Sequence, residues 1–223
     1  MIDRGCGQEG VAAGFVLAGG RSSRMGSEKA LVEFDGRPLL AHALAILRDA
    51  GLEAAIAGAQ TDLSQFAPVV PDAQSGLGPL AGICAALAST WAEHGVFLSV
   101  DQPNVPCCLI RYLLLHARTT GRAITLASIN GYPQTFPAVV RRGALPVLEH
   151  ELREGRRGCY SAFSAAAIEA QELVTVLPVE SLVQAGHLDD PNGLPAARWF
   201  SNLNTPVDLD RAMAYGSARS RVI

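Results

Sequence analysis

The chain has 223 residues, enough for one sizeable α/β domain. Hydrophobic residues make up 49% and charged residues 17%, yet no apolar run approaches the roughly 18 residues that a membrane span requires. A net charge of −3 argues against the broad positive field that nucleic-acid or membrane-surface binding uses, so any positive site must be local.

The N-terminus, M-I-D-R-G-C-G-Q-E-G, has an early acid and no apolar core, so it does not read as a secretory signal and the cytoplasm is expected. Residues 1–13 are Gly-rich and without periodicity; a flexible leader is expected there, followed by a single domain over 14–223. The apolar run Phe15–Ala18 predicts a first strand, and the helical spacing of Pro38–Ala50 predicts a helix. Short strands are expected at Ala54–Ala57 and Val69–Val70, then a helix at Pro79–His94 with proline in its first turn. A continuous apolar run, Val96–Val100, ends in Asp101-Gln102-Pro103.

A helix at Pro106–Ala117 and a strand at Ala123–Ala127 follow. Thr135–Arg141 comes too soon after the turn Gly131-Tyr132-Pro133 for a helical crossover, which predicts an antiparallel strand. Leu145–Glu154 reads as a helix, Leu173–Leu177 as a strand, and Thr205–Tyr215 as a terminal helix capped by Thr205 with Pro206 at its first position. Residues 180–199, rich in Gly, Pro and Asp, read as a loop. Apolar strands alternating with amphipathic helices predict an α/β fold with a mixed, mostly parallel sheet covered on both faces.

In such a sheet the binding crevice lies beyond the carboxyl ends of the strands. After the first strand comes Gly19-Gly20-Arg21-Ser22-Ser23-Arg24-Met25-Gly26, followed by Lys29. Paired glycines bring backbone N–H groups close to an anion, and Arg24 and Lys29 could neutralise it, which suggests phosphate; the other reading is a turn with solvated cations. The spacing matches neither G-x-x-x-x-G-K-[ST] nor G-x-G-x-x-G. Asp101, at the end of a buried run, either caps a loop or serves a cation. Magnesium held by one or two carboxylates plus phosphate oxygens would suit Asp101 with Asp72 as helper.

Gly76-Leu77-Gly78-Pro79-Leu80-Ala81-Gly82 runs into a helix whose N-terminus can receive an anion, or is simply a proline start. In Phe200-Ser201-Asn202-Leu203-Asn204-Thr205-Pro206, Asn202 and Asn204 would share one face of a short strand and could read a hydrogen-bonding ligand. The five cysteines, Cys6, Cys84, Cys107, Cys108 and Cys159, form no C-x-x-C pair and read as free structural thiols. The five histidines are scattered, mostly in helical patterns at exposed-looking places, with no arrangement for nucleophilic hydrolysis.

Taken together, L-A-G-G-x-S-x-R-M-G-x-x-K-A-L at Leu17–Leu31, G-P-L-A-G at Gly78–Gly82, D-x-P at Asp101–Pro103 and N-x-N-T-P-x-D-L at Asn202–Leu209 resemble the molybdenum cofactor guanylyltransferase family. The resemblance runs over about residues 14–215. It implies a three-layer Rossmann-like nucleotidyltransferase fold, and a reaction joining GMP from Mg-GTP to the phosphate of molybdopterin or molybdenum cofactor, with pyrophosphate released. It also implies roles: the Leu17, Ala18, Gly19 and Gly20 backbone on the nucleotide; Arg24 and Lys29 on triphosphate charge; Asp101 on Mg2+; and Asp72, Gly78 and Pro79 beside the nucleotide. Asn202 and Asn204 would face the pterin. Arg156 and Arg157 stand where the family keeps basic residues for its anionic substrate, although two arginines at a helix end also complement its dipole. Cofactor-delivering and cofactor-receiving proteins are the partners such an enzyme would have; nucleic acid and membrane are not.

Two departures bear on the base. Ala57-Gly58 stands where the family often has an asparagine, and Asp101-Gln102-Pro103 is similar to cytidylyltransferases acting on the same cofactor. Ala18-Gly19-Gly20 and Asn202–Pro206 match the guanylyl form, so GTP is favoured. CTP, another phosphorylated acceptor, or a non-catalytic nucleotide-binding or delivery module are the alternatives.

Overall fold

The computed structural model describes residues 12–19, 28–59, 61–71, 76–190, 193–205 and 207–212. The first strand, β1 (Ala12–Leu17), starts two residues before the expected domain boundary. Its side chains alternate between two cores: Val16 points to one face of the sheet and Phe15 and Leu17 to the other. A single 3-10 turn at Lys29–Leu31 follows, anchored by fully buried Ala30. A small hairpin then forms from β2 (Glu33–Phe34) and β3 (Arg37–Pro38). Asp35 and Gly36 both have positive φ, 48° and 72°, the two-residue geometry that matches strand twist and that Asp-Gly favours. Its last strand takes up Pro38, so the helix α1 (Leu39–Asp49) begins one residue later than expected.

β4 (Glu53–Ala57) and β5 (Val69–Val70) follow, then α2 (Pro79–Ser89). That helix stops short of the expected His94, because Thr90 is extended and its hydroxyl accepts the Ala92 amide at 3.1 Å. The chain therefore enters β6 (His94–Ser99) early. Helix α3 (Cys107–Thr120) and strand β7 (Ile124–Ile129) come next. The turn into β8 (Tyr132–Arg141) is Asn130-Gly131, with φ 52° and 77°, so Tyr132 and Pro133 already belong to the strand rather than to the turn.

After α4 (Leu145–Arg153), two stretches carry helices that the sequence reading left out. One is α5 (Cys159–Glu169), which buries Cys159, Ala162, Phe163, Ala166 and Ala167 at helical spacing. Beyond β9 (Thr175–Pro178), residues 180–199 are not simply a loop: they hold most of α6 (Val179–Gln184) and all of α7 (Ala196–Trp199). Buried Val179 and Trp199 tie these short helices to the core. A further helical turn at 207–212 is capped as expected by Thr205, whose hydroxyl accepts the Asp208 amide at 3.2 Å.

The strands form one seven-stranded sheet in the order β5-β4-β1-β6-β8-β7-β9. β8 runs antiparallel to both β6 and β7; the other pairs are parallel, so the mixed, mostly parallel sheet is as expected. Residues of α1, α3, α6 and α7 pack with Val16, Val96 and Val139 on one face. Residues of α2, α4 and α5 pack with Phe15, Leu17 and Phe97 on the other, where the Phe15 and Phe97 rings stack at 5.4 Å. The result is three layers. No helix among the described residues is long and apolar enough to cross a membrane. Cys84, Cys107, Cys108 and Cys159 are free thiols, and burial pushes those of Cys84 and Cys159 up to about 12, which leaves them unreactive; Cys6 lies outside the described residues.

Two histidines depart from the expected exposure. His42 is buried under the β2–β3 hairpin, with Nε2 2.7 Å from the Phe34 carbonyl. His94, at the amino end of β6, is 1% exposed and neither ring nitrogen has a hydrogen-bond partner among the described residues. Burial holds its imidazole below the ordinary value of 6.5, against a smaller opposing pull from Glu93 and with Arg118 and Arg141 adding to the depression. The unfolded chain therefore takes up this proton first as pH falls, and stability present above about 6.5 is lost below it. Thermal melts from pH 8 to pH 5 should show a decline that is clearly shallower in His94→Phe. An equal slope in the variant would assign the decline to other groups.

Candidate functional site

The connections leave β1 toward β4 and β5 on one side and later return through α2 to β6 on the other. The topological switch point is thus at the carboxyl end of β1, where a doubly covered sheet opens its crevice. The Ala18 amide bonds the Ala57 carbonyl at 3.0 Å and the Val100 amide reaches the Leu17 carbonyl at 3.3 Å, so three strand ends stay in register up to the rim.

One wall of this crevice is bare backbone. A Cβ on Gly19 would lie 2.2 Å from the carbonyl oxygen of Gly58, and one on Gly82 of α2 would lie 3.3 Å from the Leu17 side chain and 3.4 Å from the Gly58 nitrogen. The close meeting of Gly19 and Gly58 is possible only because Gly19 carries no side chain. Gly78 precedes α2 with φ 88°, and Pro79 occupies the helix's first turn, so that helix N-terminus opens beside the same strands.

The opposite wall is polar. Lys29 Nζ donates to Asp101 Oδ2 at 2.7 Å and to Asn204 Oδ1, joining residues 72 and 175 positions apart in the chain. Ser99 Oγ donates to Asp101 Oδ1 at 2.5 Å, so both carboxylate oxygens are engaged. The Lys29 and Asp101 side chains are 17% and 16% exposed; this ion pair is screened less than a surface one. The Leu203 amide bonds the Asp101 carbonyl at 2.9 Å, and Leu203 itself is buried. Exposed Asn202 and Asn204 flank it, but 201–204 form no strand ladder and are held instead by this bond and by the next turn. There Asp208 Oδ2 accepts the Asn204 and Thr205 amides at 3.2 and 2.9 Å and the Thr205 hydroxyl at 2.8 Å. That hydroxyl, followed by the backbone amides, keeps the Asp208 carboxyl below the usual range.

The sequence reading missed two contributors. Ser99, the last residue of β6, stands two positions before Asp101, and that i, i+2 spacing was the available signal. Glu28 accepts a hydrogen bond from Thr61 Oγ1, so neighbouring residues Glu28 and Lys29 clasp the segments after β4 and after β6 respectively. No comparable signal in the sequence pairs Glu28 with Thr61.

Arg156 is engaged elsewhere. Its Nε and Nη2 donate to Glu151 Oε2 and Oε1, both at 2.7 Å, closing the end of α4 and holding the Glu151 carboxyl below its usual range. Glu172, just past α5, accepts the Ala123 amide at the start of β7, so α5 begins toward the crevice-bearing edge of the sheet. Arg157 is exposed in that connection. Among the described residues, no hydrogen bond or ion pair links Arg156 or Arg157 to the Lys29 cluster. Gly20, Arg24 and Asp72 lie outside the described residues.

No three or more His, Cys, Asp or Glu side chains among the described residues gather as a metal cage. A single partly buried carboxylate at the rim, Asp101, could supply one ligand to a cation whose others were phosphate oxygens and water.

The model of the MobA-like NTP transferase domain matches residues 14–172. A probable molybdenum cofactor guanylyltransferase of Pelotomaculum thermopropionicum is 32% identical over 95% of this chain and 97% of its own length. A molybdenum cofactor guanylyltransferase of Rhodobacter capsulatus is 43% identical over 90% and 94%. Among solved structures, molybdopterin-guanine dinucleotide biosynthesis protein A of Archaeoglobus fulgidus superposes with a TM-score of 0.73 at 24% identity, covering 92% of this chain and 99% of its own; at that identity the likeness is one of fold.

Proposed function

Since the chain belongs to the molybdenum cofactor guanylyltransferase family of MobA-like NTP transferases, we propose that it transfers GMP from Mg-GTP to the terminal phosphate of molybdopterin. A phosphate oxygen of the acceptor bonds to the α-phosphorus of GTP as the α–β phosphoanhydride breaks, and the bonding pair leaves with pyrophosphate. The observation that carries this reading is the Lys29–Asp101–Asn204 cluster facing a backbone wall at the switch point of the sheet.

The attacking group is already an anion, so no strong general base is needed and the chain's work is alignment and charge compensation. Orientation of the reactants can account for roughly 7–11 kcal/mol of the barrier. Asp101 would hold magnesium, which would compensate charge on the phosphates. The Leu17–Gly20 backbone and the Gly78–Pro79 start of α2 receive the nucleotide, with Asp72 beside it. Lys29 and Arg24 take charge growing on the departing pyrophosphate. Asn202 and Asn204 flank the acceptor's side of the crevice. Arg157 is the better placed of the two arginines for the anionic acceptor, because Arg156 is already spanned by Glu151.

Incubating the protein with each of the four NTPs, magnesium and molybdopterin, and following pyrophosphate, tests the reading. Release with GTP and acceptor together is expected. Release with CTP instead would overturn the base assignment, and none with any nucleotide would favour a binding or delivery module.

A further inference from the structure

Lys29 stands where a cation is wanted, and its ammonium is already in contact with a carboxylate. Its ammonium contacts Asp101 Oδ2 at 2.7 Å while Ser99 holds Oδ1 at 2.5 Å, so each oxygen of the carboxylate on which the proposed metal depends already accepts a hydrogen bond from the protein itself. We infer that Lys29 is a stand-in cation on Asp101, held there by Asn204, and that metal and triphosphate therefore load together rather than one after the other. The inference rests on the reading of Asp101 as the metal's carboxylate.

The parts are built for an exchange. The Lys29 backbone is pinned, since Ala30 beside it is completely buried in the 3-10 turn, so only the four-carbon side chain has to move. Asn204 is pinned as well, by the Leu203 amide on the Asp101 carbonyl and by the Asp208 carboxylate on the Asn204 and Thr205 amides. Its carboxamide oxygen is thus a fixed second acceptor that keeps the ammonium at the rim. A divalent ion arriving alone would meet a like charge already in contact with its carboxylate. A triphosphate arriving with it offers Lys29 another anion and relieves that conflict. Asn204 is on this account a positioning residue that acts through Lys29.

The test counts Mn2+ bound to the full chain, by the electron paramagnetic resonance of free Mn2+, without nucleotide and with GTP but no acceptor, after subtraction of the Mn2+ that the same GTP takes up without protein. Wild type should bind bare Mn2+ weakly and bind it far better with GTP. Lys29→Met removes the ammonium and keeps an apolar stem, so bare Mn2+ should bind about tenfold more tightly or better while the gain from GTP shrinks. Asn204→Ala, which leaves Lys29 less firmly placed, should move bare Mn2+ affinity the same way by a smaller factor; a merely structural asparagine would not move it. Circular dichroism confirms that each variant is folded. Unchanged or weaker bare Mn2+ binding in folded Lys29→Met overturns the inference, and if that variant does not fold, Asn204→Ala decides by the same reading. Failure of GTP to raise Mn2+ binding in wild type would instead count against the nucleotide site itself, independently of the comparison between variants.

Discussion

Asp101→Ala is expected to lower acceptor-dependent pyrophosphate release by at least about a thousandfold, as loss of a single preorganised charge-stabilising group can. The fold should survive. What the substitution removes is a side chain 16% exposed, together with one ion pair to Lys29 and one hydrogen bond from Ser99. What fastens the 201–204 segment is the Asp101 main-chain carbonyl, which alanine retains. A partly exposed pair contributes on the order of 1 kcal/mol, a shift of roughly 2–4 °C in the melting of a chain this size. Near-normal release by a folded Asp101→Ala protein would take Asp101 out of the site. A thousandfold loss accompanied by unfolding would leave the point to Asp101→Asn, which keeps the shape and loses only the charge.

Gly19→Ala should be nearly as damaging through steric means. The added methyl would start 2.2 Å from a backbone oxygen, and a carbonyl at a strand end cannot rotate aside as a side chain can. Either the end of β1 or the end of β4 must shift, and α2 lies close over both: a methyl placed on Gly82 would itself stand 3.3 Å from the Leu17 side chain and 3.4 Å from the Gly58 nitrogen. Overpacking of this kind costs typically about 1–3 kcal/mol. Because the displaced atoms form the backbone wall of the crevice, affinity for Mg-GTP measured by titration calorimetry should fall roughly a hundredfold, about 2.7 kcal/mol by the usual conversion. Gly143→Ala is the control: nothing lies within 4 Å of the methyl it would add. Equal nucleotide affinity and equal melting temperature in Gly19→Ala would show that the wall yields more easily than its geometry indicates.

Legibility followed the range of the interaction that makes each feature. Pro79 starts α2 by fixing its own φ and was read as such; Asp35-Gly36 and Asn130-Gly131 specify their turns just as locally, but the first was not read and the second was placed one residue late. α5 escaped because its buried face is built largely of Ala and Cys, whose contrast with the exposed Ser and Ala beside them is small; α6 and α7 escaped because Pro, Gly and Asp around them mask two short turns. The end of α2 was set by a hydroxyl of Thr90, a local cue weaker than the apolar run around it.

The chain's own order of residues determined that β1 is an apolar strand followed by glycines and cations, that an aspartate comes just after β6, and that two asparagines precede a Thr205-capped helix. These depend on neighbours a few positions apart, where periodicity and backbone preference act. Only the tertiary structure decided which of those polar groups meet. It placed β1 between β4 and β6, brought Lys29 onto Asp101 and Asn204 across 72 and 175 residues, and set Ser99 on the same carboxylate. It also turned Arg156 toward Glu151 and buried His94 with no hydrogen-bond partner among the described residues. Strand order determines which side chains face one another, and it is fixed by how the two helical layers close over the whole sheet, an outcome that no short stretch of residues contains.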